Sequence, residues 1–205
     1  MPMIVVGGAS KGVGKTTLIC GLIASLPDFQ WTAVKITSHQ YKPDASSVPR
    51  PSAEDVRDHE TLPSDVQPNF IWEETVAGQG TDTARYLAAG ARRAILVTSP
   101  KLILTLSDIN SAIGPDTNVI FESNTIINAS EPDVCLAIVG GSQLDTKPSF
   151  EPLMERADAF VKVSAWGAKS LSFALAKPLF QLASFDDISP EMLAWLRAHL
   201  SLSKS

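Results

Sequence analysis

The run Met3-Ile4-Val5-Val6 is directly followed by GGASKGVGKTTLICGL, residues 7 to 22, and this junction constrains the chain more than any other stretch. Four consecutive apolar residues are too few for a helix and suit a fully buried strand. The chain must then turn sharply, and Gly7, Gly8, Gly12 and Gly14 supply positions that tolerate unusual backbone angles. From Lys15 the apolar residues fall at Leu18, Leu22, Ile23 and Leu26, a helical spacing closed by Pro27. A strand, a glycine-broken loop and a helix opening on Gly-Lys-Thr-Thr is the context that gives the phosphate-binding loop its meaning. Backbone N–H groups and the helix N-terminus form an anion cradle there. The loop residues expected to hold a nucleotide's phosphates are Ala9, Ser10, Lys11, Gly12, Val13, Gly14, Lys15, Thr16 and Thr17. Lys15 is expected to reach the β- and γ-phosphates and to carry catalytic charge, and the Thr16 hydroxyl to hold Mg²⁺. The motif's first glycine is replaced by Ala9, a position that starts the loop and does not line the phosphates. A dinucleotide fingerprint fits poorly, because the glycine spacing is wrong and a Lys-Thr pair has no task there.

Beyond the first helix, strands are expected at 31–37, 70–75, 94–98, 118–122, 134–139 and 159–163. Helices are expected at 81–91, 100–113 and 150–156, and a last one opens at Ser189-Pro190-Glu191. Alternating strands and helices predict an α/β fold, a mostly parallel sheet with helices on both faces and the site at the strands' carboxyl ends. At 205 residues the chain is expected to be a single nucleotide-binding domain, 1–205. Residues 38–68 carry five prolines among polar side chains and predict a long insertion that leaves the sheet after the second strand. That exit suggests a switch segment ordered by nucleotide or partner, with a passive insertion as the alternative.

A net charge of −5 argues against nucleic acid or an anionic membrane as the main partner. Neither a membrane-length apolar run nor a signal-peptide pattern is present, so a cytoplasmic protein is expected. Cys20 and Cys135 read as reduced core residues, and His39, His59 and His199 share no zinc-ligand spacing.

The stretch GTDTARYLAAGARRAILVTSP at 80–100, with VKITSH at 34–39 and VIFES at 119–123, resembles the MobB-type family. These are small P-loop GTPases associated with molybdopterin guanine dinucleotide biosynthesis. The resemblance covers about residues 3–124 and rests on Gly80, Asp82, Thr83, Ala89, Gly90 and Ala91 in the helix motif, with Lys35 and His39 near the second strand. Glu122 stands for the family's strand-end glutamate, although Ser123-Asn124 follows it where the family has glycine. The resemblance implies a three-layer P-loop NTPase fold, GTP as the nucleotide, and a cofactor-biosynthesis protein as partner. A homodimer stays an open option.

Guanine selectivity rests on the resemblance alone. Lys162 and Lys169 fall where a base-reading motif would lie, and Trp166 reads as a packed indole. Glu122 ends an apolar strand and is expected to be catalytic, holding Mg²⁺ through water or orienting the attacking water. Asp82 is a candidate metal contact with a plain rival role as a helix N-terminal acid. Lys35, His39 and Arg85 are candidate substrate contacts. The expected activity is Mg²⁺-dependent binding and slow hydrolysis of GTP or ATP. The alternatives are an ATP-dependent small-molecule ligase or kinase of the dethiobiotin-synthetase type, and a nucleotide-dependent metal or cofactor chaperone.

Overall fold

The computed structural model describes residues 1–37, 70–98, 106–115, 117–140, 148–163 and 177–202. The insertion expected at 38–68, with His39 and His59, lies outside the described residues, as do Trp166 and Lys169.

Among the described residues eight strands form one sheet: β1 (Met3–Gly8), β2 (Thr32–Thr37), β3 (Phe70–Glu74), β4 (Arg93–Thr98), β5 (Val119–Glu122), β6 (Val134–Ile138), β7 (Ala159–Val163) and β8 (Leu179–Leu182). Their spatial order is β3-β4-β2-β5-β1-β6-β7-β8. Every pairing is parallel except that of β3 with β4, which is antiparallel at the sheet's edge. The α-helices among the described residues are α1 (Lys15–Ser25), α2 (Asp82–Ala88), α3 (Leu106–Ile113), α4 (Phe150–Arg156) and α5 (Pro190–Leu202).

The side-chain period of two along each strand divides the core into two layers. Ile4, Val6, Ala33, Ile120 and Leu136 pack with α1, with Tyr86 of α2 and with Met192 and Leu196 of α5. Val5, Val34, Phe121 and Cys135, the alternate residues, pack with Ile109 of α3 and Phe150 and Leu153 of α4. A sheet apolar on both faces needs helices on both, and each fully buried aliphatic side chain contributes about 1.5–3 kcal/mol. The result is a three-layer α/β fold with a mostly parallel sheet.

The strand β8 was not legible in LFQL, four residues whose burial alternates outside-in along a sheet edge. Expected helix 81–91 is shorter as formed. Thr81 is its N-cap, with Oγ1 accepting from the Ala84 N–H at 3.1 Å, and Gly90 at φ 102° ends it. Such a cap is worth about 1 kcal/mol. Both cysteines are free thiols, and burial pushes Cys135 up to about 12, consistent with an inert core residue. Among the described residues no helix is long and apolar enough to cross a membrane.

Candidate functional site: a glycine loop faced by a shared carboxylate

The alternation that builds the core also builds the site. On β5, Ile120 faces the layer of α1 and α2 while Phe121 faces the opposite one, so Glu122 returns to the α1/α2 side. On β2 the same rule sends Ala33 and then Lys35 to that side. Register places Glu122 beside Val6 of β1 and beside Lys35 of β2. Two charged residues from neighbouring strands thus meet at the carboxyl edge, directly below the loop that leaves β1.

The loop has the backbone its glycines foretold. Gly12 lies at φ 74°, and Gly14, the residue before α1, at φ 100°. Gly14 is fixed twice over, because a Cβ there would fall 2.2 Å from Cδ2 of Phe185. Ala9 is buried, its N–H donating to the Ile138 carbonyl at 3.3 Å, and Val13 is buried against β1. Their side chains support the loop from within. Lys11, Gly12, Gly14, Lys15, Thr16 and Thr17 line a cavity of about 580 Å³. The Lys15 ammonium donates to the Ser10 carbonyl at 3.1 Å, inside the curve of the loop.

Across the cavity stands a charged cluster. The Thr16 hydroxyl donates to Oε2 of Glu122 at 2.8 Å. Lys35 donates to Oε1 of the same carboxylate at 3.2 Å and also to Asp82. The Tyr86 hydroxyl donates to Oε2 of Glu122. Arg85 lies 3.8 Å from Asp82 and donates to the Thr17 hydroxyl at 3.2 Å. Asp82, Arg85 and Tyr86 are spaced i, i+3, i+4, so one face of α2 supplies three of these groups. Glu122 is 6% exposed, a burial that a lone carboxylate would not tolerate. Its three donors compensate.

The same contacts set the protonation states. Burial alone would lower Lys35, but the charge of Glu122 and the hydrogen bond to Asp82 outweigh it and hold the ammonium above its ordinary value. Burial would likewise raise Asp82, yet the hydrogen bond and charge of Lys35, with Thr16 and Arg85 behind them, hold it below the usual carboxylate range. Burial pushes the Tyr86 phenol well above its ordinary value, and the Glu122 charge adds to this, so the hydroxyl remains a donor.

Of the residues singled out in the sequence, Lys15, Thr16, Thr17, Lys35, Asp82, Arg85 and Glu122 come together around one cavity. Tyr86, Asn124 and Phe185 were missed. Asn124 accepts from the Gly8 N–H at 2.9 Å and donates to the Gly8 carbonyl at 3.1 Å, pinning the last residue before the loop. It lies in Ser123-Asn124, the pair that follows Glu122 where the MobB-type pattern has glycine. Its only legible signal was that departure.

The oxygen donors at this edge suit a hard divalent cation. Thr16 and one or two carboxylates are what Mg²⁺ takes when substrate phosphates and water complete its shell. Among the described residues no group of three or more His, Cys, Asp or Glu could hold a metal unaided.

No family model matches the chain, and no curated protein matches it. Among solved structures it is similar to LpxK from Aquifex aeolicus, the "apo" form crystallised in complex with ATP, with a TM-score of 0.50 at 15% identity. The match covers 95% of this chain and 60% of that one, so the chain spans less than two thirds of the length of that neighbour. At this identity the likeness shows the fold alone, an α/β sheet that is mostly parallel and covered by helices on both faces.

Proposed function

We propose that this protein binds a nucleoside triphosphate with Mg²⁺ and cleaves its γ-phosphate slowly, as an accessory protein of the MobB type in molybdenum-cofactor biosynthesis, with GTP as the nucleotide. The observation that carries the nucleotide reading is the 2.8 Å contact between the Thr16 hydroxyl, in the first turn behind the loop, and the buried Glu122 carboxylate. A structural neighbour crystallised with ATP supports it. The pathway and the preference for guanine are supported by the sequence resemblance, and a cytoplasmic location goes with them.

The chain's own groups have distinct tasks in such a reaction. Loop N–H groups and the Lys15 ammonium bind the phosphates and neutralise charge on the β–γ oxygens. Thr16, with its proton committed to Glu122, keeps its lone pairs for a cation. Glu122 holds that hydroxyl and is placed to orient a water. Lys35 and Arg85 keep the acidic edge near neutral while the anionic nucleotide approaches. Mg²⁺ held at the Thr16 hydroxyl would supply further neutralisation of phosphate charge.

A second reading, transfer of the phosphoryl group to a small acceptor, is favoured by one feature. The cavity extends past the loop to Lys35, Thr37, Ser123 and Thr125, leaving polar space beyond the phosphates. Thermal-shift titrations with GTP, GDP, ATP and ADP, each with Mg²⁺, test the nucleotide reading, since a ligand of the folded state alone raises the melting point. Wild type should be stabilised, guanine nucleotides more than adenine. Lys15→Ala should lose the shift while melting normally on its own. A shift that survives in Lys15→Ala would overturn the loop assignment.

A further inference from the structure

Tyr86 is fully buried in the core layer of α1, α2 and α5, where a phenylalanine would pack equally well. Its hydroxyl is therefore not explained by packing. A buried phenol needs a hydrogen-bond partner, and this one donates to Oε2 of Glu122, the oxygen that also accepts from Thr16. A carboxylate oxygen offers about two lone-pair directions. With Tyr86 in one and Thr16 in the other, both directions of Oε2 are taken, and the carboxylate's other oxygen, Oε1, faces the Lys35 ammonium.

We infer that Tyr86 is a positioning residue for the nucleotide's divalent cation: its hydroxyl fixes the Glu122 carboxylate so that Glu122 acts through Thr16 and water, leaving the Thr16 oxygen as the direct contact. The inference rests on the nucleotide reading above and adds what that reading lacks, the group that sets the carboxylate's orientation. Geometry supplies the coupling. Tyr86 shares its helix face with Asp82 and Arg85, and Arg85 holds Thr17 while Tyr86 reaches the partner of Thr16, so α2 steadies both threonines behind the loop. Losing an outer hydrogen-bond partner of a metal site costs about 10–100-fold in metal affinity or activity.

The test is a Mg²⁺ titration of the full chain at fixed GTP, repeated with ATP, reading the melting shift and single-turnover phosphate release. It compares wild type, Tyr86→Phe, Glu122→Gln and the double variant. Tyr86→Phe should melt like wild type in EDTA, need about tenfold more Mg²⁺ for half its nucleotide shift, and reach the wild-type shift at saturation. The double variant should respond to Mg²⁺ as Glu122→Gln alone does, because Tyr86 acts through that carboxylate. An unchanged half-point in Tyr86→Phe overturns the inference. So does a double variant in which the two effects simply add, or a Tyr86→Phe protein that fails to fold, which would assign the hydroxyl to the fold. Failure of the parent reading looks different: wild type itself would show no Mg²⁺-dependent response, and the inference would fall with it.

Discussion

Two charged clusters sit at opposite ends of the same sheet, and they solve different problems. At the amino end of β4, Arg93 donates Nε and Nη2 to the two carboxylate oxygens of Glu73 at 2.7 and 2.6 Å. The same guanidinium donates to the Ile113 and Ala112 carbonyls at 2.6 and 3.0 Å. It closes the end of α3 and ties the edge strand to its neighbour. Its donors are spent on fixed acceptors, and nothing more is needed there. At the carboxyl end, Lys35 divides one ammonium between two carboxylates, one of which also accepts from Thr16 and Tyr86. That cluster opens on a cavity. A forked pair matched to its acceptors is a joint, whereas an ammonium shared by two acids beside a glycine loop and a cavity marks the candidate site.

The largest effect that sharpens this contrast should come from Glu122. Glu122→Gln keeps the shape of the strand end but removes the charge that orders Thr16, Lys35 and Tyr86. Single-turnover phosphate release should slow by about 10–100-fold while the nucleotide-induced melting shift persists at high Mg²⁺. Unchanged release would reduce Glu122 to a second structural joint.

Lys35→Met should come next. It leaves Asp82 and Glu122 facing each other without their shared cation, which for partly exposed groups costs roughly 1–3 kcal/mol at neutral pH. The sign with pH follows from the shifts. Asp82 is depressed in the folded state, so its contribution is present above its unfolded value and lost as pH falls through the folded one. Lys35 is raised, so its contribution is present below its unfolded value and lost as pH rises through the folded one. Denaturation curves of wild type and Lys35→Met should therefore lie furthest apart across the neutral plateau and converge in acid. Parallel curves at all pH values would remove Lys35 from the cluster's energetics.

The smallest effect belongs to the other end. Arg93→Met should lower stability by about 1 kcal/mol, through the exposed pair with Glu73 and the last carbonyls of α3. It should leave the nucleotide shift untouched. A lost shift would show the two ends to be coupled, which a joint remote from the cavity does not predict.

The contrast between the ends also explains what could be read in the sequence. The loop was legible because its nine residues are contiguous and their chemistry is local. Glu122 was legible because an apolar strand ran up to it. The three-layer fold followed from alternating patterns. Tyr86 looked like any core aromatic, since only the strand register decides that its hydroxyl meets Glu122. Arg93 gave no sign that it would close α3, because its acceptors are backbone carbonyls of another element. The antiparallel direction of β3 was likewise hidden, since no pattern in Phe70–Glu74 records it.

The ring of Phe185 against Gly14 has a consequence for the order in which this protein becomes functional. The loop precedes all of its supports along the chain: Asn124 and Glu122 lie more than a hundred residues after it, and Phe185 lies past β8. Non-local contacts of this kind form late, after the entropy of closing long loops has been overcome. A nascent chain that ends before Phe185 would display the motif without its brace. Nucleotide would then favour only chains that have closed the sheet on both sides of β1, so that the ligand acts on maturation as well as on the mature protein.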